Sequence, residues 1–81
     1  MRIISQNGKF DLPYENLAIF VEYENVIARF ENERYLLGQY SSEAKAIKAM
    51  EMLRKAWKFE TGIYHRNIIF QFPQDSDERL N

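Results

Sequence analysis

The chain has 81 residues, with 11 Lys and Arg against 12 Asp and Glu, which gives a formal net charge of −1. This length allows one small domain, and a hydrophobic content of 46% is too high for a disordered chain. The near-neutral charge argues against direct DNA binding, which needs a strongly basic face. No apolar run reaches the roughly 18–20 residues that span a bilayer, so we expect an intracellular protein without a membrane segment.

Residue types that carry catalysis are scarce. The absence of cysteine excludes disulfides, thiolate metal sites and cysteine nucleophiles. A single histidine cannot supply a multi-histidine metal site, and the three isolated glycines form no phosphate-binding loop. The neighbouring carboxylates at positions 11 and 15, and at 22 and 24, lie in segments where such groups normally face water. We therefore predict a non-enzymatic protein that has no cofactor and no metal.

The pattern of the first forty residues predicts strands joined by turns. Asn7-Gly8 suits a type I′ turn, because both positions accept positive φ, and it predicts an N-terminal hairpin that Pro13 ends. β-branched and aromatic residues then alternate with polar ones, as in half-buried antiparallel strands. The pattern predicts a meander of strands over residues 18–23, 26–31 and 34–40, with turns at 24–25 and 32–33.

A helical period follows the meander. Ser41 is predicted as the N-cap of a helix that ends at about Lys58 or Phe59. The apolar stripe of this helix consists of Ala46, Met50, Leu53 and Trp57. Residues 67–72 then predict a last strand that Pro73 stops, and residues 74–81 a polar, frayed tail. The predicted fold is α+β over residues 1–73: an antiparallel sheet of about four to five strands, with one long helix on one face.

A second apolar stripe widens the helix face. It either packs deep in a small core or forms a homodimer seam, and it makes a homo-oligomer our expectation. Its members are Ala49, Met52, Ala56 and Phe59.

The remaining candidates are binding residues. The aromatic residues exceed what so small a core can hide, and aromatics near arginines suit stacking on a nucleobase while a guanidinium grips phosphate. Residues 41–66 hold six basic and three acidic groups, which could attract an anion or form a solvated helix face. For the arginines, the alternative is a surface charge in a weak ion pair. The predicted ligand residues are Arg66, Tyr64, His65, Arg29 and Arg34.

Five segments resemble a known family. They are residues 1–8 (MRIISQNG), 11–15 (DLPYE), 40–46 (YSSEAKA), 48–54 (KAMEMLR) and 67–73 (NIIFQFP). Together they resemble small uncharacterised proteins of Firmicutes phages and prophages, and they cover roughly half of the chain. Longer relatives carry an extra segment between the main helix and the last strand, where this chain has a short loop.

The longer form is similar to phage anti-defence proteins that sequester cyclic nucleotide immune signals at a dimer surface. This resemblance implies a counter-defence protein of the host bacterial cytoplasm, with Arg66 in the place of a phosphate-gripping arginine. Two alternatives remain open. One is an inhibitor that binds a host immune protein, such as a nuclease, and the other is a structural module that associates only with itself.

Overall fold

Residues 18–39 form the antiparallel meander that their alternating pattern predicts. The computed structural model describes residues 1–63 and 68–81, and the side chains of residues 1–58 and 68–81. Six strands and one long helix are described, which confirms the α+β class. The elements are β1 (Arg2–Ile4), β2 (Asp11–Pro13), β3 (Ala18–Glu22), β4 (Asn25–Phe30), β5 (Glu33–Gln39), α1 (Glu43–Ile63) and β6 (Ile69–Gln71), with 3₁₀ turns at Tyr14–Asn16 and Glu78–Leu80.

The strands form two sheets rather than the single sheet that we predicted. One sheet has the order β3-β4-β5, and the other has the order β2-β1-β6, in which β6 runs parallel to β1. The 3₁₀ turn Tyr14–Asn16 follows Pro13 directly and separates β2 from β3. Because proline provides no backbone donor, the chain leaves the first sheet there and starts the second.

The meander buries one face against α1. Val26 and Ala28 of β4 are fully buried, whereas Arg29 is exposed, as the alternation predicts. Ile27 points to the other face, yet it is also buried, because its cross-strand neighbours Phe20 and Leu36 lie beside it. The outer face of the meander therefore carries a small apolar cluster next to its arginines.

Two turns differ from their predicted form. The N-terminal hairpin is confirmed, but only Gly8 has positive φ (76°), so its turn is not type I′. The side-chain oxygen of Asn7 instead accepts hydrogen bonds from Ser5 Oγ and the amide of Lys9. The meander turns lie one residue earlier than predicted, and Glu31 and Asn32 both adopt positive φ.

Helix α1 packs its predicted stripe into the core. Ala46, Met50 and Leu53 are buried, and Trp57 packs against them from the edge. Ser42 caps the helix rather than Ser41, since the Ser42 hydroxyl accepts a hydrogen bond from the Lys45 amide. The described helix reaches Ile63, beyond the predicted end at about Lys58 or Phe59.

Residues 74–81 differ from the predicted frayed tail, because this segment is attached at several points. Leu80 is buried in the core, although it stands in an otherwise polar run. Asp75 accepts a hydrogen bond from the Ser41 amide at 2.8 Å, and this bond lowers the pKa of the Asp75 carboxyl. The Tyr40 hydroxyl donates to the carbonyl oxygen of Pro73 at 2.9 Å. Burial raises the pKa of Tyr40, so this phenol remains a donor.

Gly38 allows Tyr40 to reach that position. A Cβ atom on Gly38 would lie 2.8 Å from the Tyr40 ring, closer than real Cβ contacts. Leu37 is the extra residue of a β-bulge, since Val26 pairs with Gly38 and Ile27 with Leu36. The bulge and the glycine together set the end of β5 against the C-terminal segment.

Gln6 connects the two sheets. Its amide donates to the carbonyl oxygen of Leu37 in β5 at 2.6 Å. Its side chain accepts from the amide of Gln39 at 3.0 Å, and donates to the carbonyl oxygens of Gln39 and Pro73, both at 3.1 Å. Its own carbonyl accepts from the side chain of Gln74 at 2.8 Å. One residue thus holds the hairpin, β5 and the C-terminal segment together.

We expect Gln6→Ala to lower the free energy of unfolding by about 2–3 kcal/mol, because each lost side-chain hydrogen bond contributes about 1 kcal/mol. Urea denaturation measures this change. Gln39→Ala is the matched control, because Gln39 bonds to Gln6 through its backbone; its stability should stay within about 0.5 kcal/mol of the wild type. Equal losses in the two variants would contradict the role of the Gln6 side chain.

We expect the double variant Glu31→Asn, Asn32→Gly to be more stable by about 0.5–1 kcal/mol, because Asn-Gly suits a two-residue turn with two positive φ angles. The measurement is the Tm, which should rise by a few degrees. Glu24→Asn changes a turn residue outside the left-handed region and should leave the Tm unchanged. A lower Tm for the double variant would show that Glu31 or Asn32 makes a stabilising contact of its own.

Candidate functional site

Three of the five predicted ligand residues lie outside the described residues: Tyr64, His65 and Arg66. Their role therefore stays a prediction. The other two predicted ligand residues, Arg29 and Arg34, are direct cross-strand partners on the outer face of the meander. Arg34 donates to Glu22 at 2.9 Å, and its guanidinium lies 5.6 Å from the centre of the Phe20 ring. The structure brings these two arginines together, but it gives Arg34 partners within the chain.

The predicted dimer seam is wrong at Ala49, which is fully buried in the core of a single chain. A small residue at this position lets α1 approach the sheet closely. Met52 and Ala56 are half-buried and line a groove, as described below. The side chain of Phe59 lies outside the described residues. One residue of the second stripe, Ala49, thus belongs to the core, and two others, Met52 and Ala56, line a groove.

Two grooves run along opposite flanks of α1. The first, which we call the aromatic groove, has a volume of about 500 Å³ and lies between α1, β3 and the 3₁₀ turn Tyr14–Asn16. The second, which we call the basic groove, has a volume of about 460 Å³ and lies between α1, β6 and the C-terminal 3₁₀ turn. The aromatic groove is lined by Tyr14, Glu15, Leu17, Ile19, Met50, Leu53, Arg54 and Trp57. The basic groove is lined by Lys48, Glu51, Met52, Lys55, Ala56, Phe70 and Arg79.

An aromatic pair forms one wall of the aromatic groove. The ring centres of Tyr14 and Trp57 are 4.8 Å apart, and their planes are inclined by 40°. Pro13 and the 3₁₀ turn place Tyr14 at the helix, while the period of α1 places Trp57 one turn beyond Leu53. Rings at this separation attract one another, and both rings line the groove.

Arg54 lines the same groove as these rings. Its guanidinium makes no hydrogen bond, ion pair or ring contact with any residue that the structure describes. This distinguishes it from Arg2, Arg34 and Arg79, which all form ion pairs with carboxylates. An exposed guanidinium whose five N–H donors bond to no acceptor among the described residues is suited to bind an anion.

Glu15 supplies the opposite charge on the same groove. Its carboxylate accepts a hydrogen bond from the α-amino group of Met1 at 2.8 Å, and this bond holds the pKa of Glu15 below its usual range. The groove therefore offers an ionised acceptor near Tyr14 and a guanidinium donor on α1. Such a pair can fix the orientation of a ligand that has a donor at one end and an anion at the other.

The basic groove has a different chemistry. Its floor is apolar, with Met52 and Ala56 of α1 and Phe70 of β6, whose ring meets Phe72 edge-on at 5.2 Å. Its rim carries three cations and the carboxylate of Glu51. The ammonium nitrogen of Lys48 lies 3.9 Å from a carboxylate oxygen of Glu51, and the guanidinium of Arg79 pairs with the carboxylate of Asp77 at 2.7 Å.

Sequence reasoning missed Arg54 and the geometry of both grooves. Tyr14 and Trp57 are two of the aromatic residues noted in the sequence, but they are 43 positions apart. No local pattern predicted that their rings are in contact. A signal for Arg54 was present: it follows Leu53 directly and precedes Trp57 by three positions, at the border of the apolar stripe. A basic residue at such a border lies where a core-facing helix meets its sheet.

Comparisons with protein-family models, with curated proteins and with solved structures give no match to this chain. In the part of the chain that the structure describes, no group of three or more histidine or acidic side chains could hold a metal ion. Over the same residues, α1 is too polar to cross a membrane. The chemistry of the two grooves is therefore the basis for a functional proposal.

The ion pair of Asp77 with Arg79 predicts an acid-sensitive contact beside the basic groove. Hydrogen bonds from Arg79 lower the pKa of Asp77 from 3.8 to about 2. Because the pKa of Asp77 is lower in the folded than in the unfolded chain, its carboxylate stabilises the fold at every pH above the unfolded pKa. This contribution disappears as the pH falls from about 4 to about 2. We expect Asp77→Asn to flatten the decrease of Tm with pH in that window.

Glu78→Gln is the control for this measurement, because Glu78 is an exposed carboxylate next to Asp77. Its Tm should follow the wild-type pH profile. If Asp77→Asn also follows that profile, the ion pair contributes nothing to acid stability.

Proposed function

We propose that the protein is a non-enzymatic binding protein for a small anion that carries an aromatic ring, and that the ligand class is a cyclic nucleotide. The observation that carries this proposal is the Arg54 guanidinium, which has no partner among the described residues and lies in the groove of the Tyr14–Trp57 pair. A nucleobase can stack on the ring pair while Arg54 binds the phosphate in bidentate fashion. Binding of this kind needs no catalytic group.

The size and charge of the groove support this ligand class. A volume of about 500 Å³ lies within the range of about 300–1,000 Å³ that small-molecule sites occupy. Glu15 can accept a hydrogen bond from an exocyclic amino group of a base, and its charge repels a phosphate. The ligand would then lie with its base towards Tyr14 and Glu15, and with its phosphate towards Arg54.

The resemblance to phage and prophage proteins supports a biological role for such binding. A counter-defence protein in the host bacterial cytoplasm could sequester a cyclic nucleotide immune signal by affinity alone. Arg66, Tyr64 and His65 follow α1 in the chain and remain predicted contacts of the same ligand. Sequestration then depends on the affinity for the signal and on the amount of protein.

Arg54→Ala should weaken cyclic nucleotide binding by about 10- to 100-fold, because a hydrogen-bonded charge contributes about 1.5–3 kcal/mol. Binding is measured with a panel of cyclic mono- and dinucleotides through the fluorescence of Trp57, the single tryptophan. A stacked base should quench this fluorescence. At a ligand concentration of about 100 times Kd, the Tm should rise by roughly 10–20 °C.

Arg29→Ala is the matched control, since Arg29 is an exposed arginine on the outer face of the meander. It should retain full affinity and quenching. The opposite result, in which Arg29→Ala loses binding and Arg54→Ala keeps it, would move the site to the meander. No quenching and no Tm increase with any member of the panel would overturn the proposal.

A further inference from the structure

The basic groove is a second candidate binding surface, and its chemistry differs from that of the aromatic groove. Met52, Ala56 and Phe70 form an apolar floor that is only half-buried. Lys48 and Lys55 stand on α1 beside this floor, seven residues apart, which corresponds to about 10 Å along the helix. Arg79 closes the opposite side. The groove therefore combines an apolar centre with a positive rim.

The rim cations are available to a partner. The ammonium group of Lys55 has no ion-pair partner among the described residues, and Lys48 lies 3.9 Å from Glu51, at the limit of an ion pair. Arg79 is exposed and pairs with Asp77, which leaves part of its donor set open. Among the described lining residues, three are cations and one, Glu51, is a carboxylate, so this rim has an excess of positive charge.

From this geometry we infer that the basic groove docks an acidic amphipathic helix of a partner protein. On a helix, positions i, i+3, i+4 and i+7 share one face. Carboxylates at i and i+7 would match the spacing of Lys48 and Lys55, and apolar side chains at i+3 and i+4 would rest on Met52 and Phe70. This is the helix-in-groove mode of recognition, and the flexible Met52 side chain adapts to the anchors.

The positive rim and the apolar floor of the groove favour an acidic helix over two other partners. A symmetric dimer through this flank would face the same cations of two copies against one another, which is unfavourable. A nucleic acid would neutralise the rim cations through its phosphates but would leave the apolar side chains of Met52 and Ala56 without a matching surface. An acidic helix uses both the apolar floor and the positive rim.

A synthetic helical peptide with Glu at positions i and i+7, and with Leu and Phe at i+3 and i+4, tests the inference by fluorescence anisotropy. We expect saturable binding to the full chain that weakens as salt rises, because the rim charges are exposed. The same peptide with Gln in place of Glu should bind at least tenfold more weakly. The double variant Lys48→Glu, Lys55→Glu should also lose at least tenfold in affinity for the acidic peptide.

The double variant Lys9→Glu, Arg29→Glu is the matched control, because it makes the same change in net charge at exposed positions outside the groove. It should bind the acidic peptide like the wild type. Equal binding of the Glu and Gln peptides, or no binding up to about 1 mM, would overturn the inference. So would a single-stranded oligonucleotide that binds where the peptide does not, or a wild-type dimer that the Lys48→Glu, Lys55→Glu variant converts to a monomer.

Discussion

The arrangement of the two sheets depends on hydrogen bonds to one residue, Gln6. Each three-stranded sheet is small, and all three strands of the first sheet span only three residues. Gln6 uses its backbone and its side-chain amide to bind β5 and the C-terminal segment at distances of 2.6–3.1 Å. β5 is an edge strand, so its backbone groups that face away from β4 have no strand partner in the described part of the chain. Their hydrogen bonds to Gln6 fix how the sheets meet.

The position of α1 between the sheets follows from this connection. One flank of the helix meets β3 and the 3₁₀ turn Tyr14–Asn16, and the other meets β6 and the C-terminal turn. Short strands cannot cover a helix of 21 residues on both sides. The uncovered parts of the two flanks are the aromatic groove and the basic groove, so the same packing that forms the core also forms both candidate sites.

Local patterns predicted the elements better than their assembly. The alternation of Val26, Ala28 and Arg29 and the stripe of Met50 and Leu53 gave the meander and the helix, because period and burial are coupled within one element. The parallel pairing of β1 with β6 and the burial of Leu80 depend on contacts across most of the chain. No local pattern encodes such contacts, and a lone leucine in a polar run is a weak signal. The predicted ligand residues Tyr64, His65 and Arg66 lie outside the described residues. Arg54 becomes a candidate ligand residue only in the folded chain, because its groove forms where Tyr14 contacts Trp57.

The cations on the two flanks of α1 favour different anions. Arg54 offers a planar, bidentate donor next to aromatic rings, a combination that matches a compact anion attached to a planar ring. Lys48 and Lys55 are point charges on residues about 10 Å apart along the helix, and they flank an apolar floor formed by Met52, Ala56 and Phe70. A small nucleotide cannot reach both lysines and still rest on that floor, while a helix with carboxylates two turns apart can. The flank with a guanidinium and two rings therefore suits a small ligand, and the flank with spaced ammonium groups suits a protein surface.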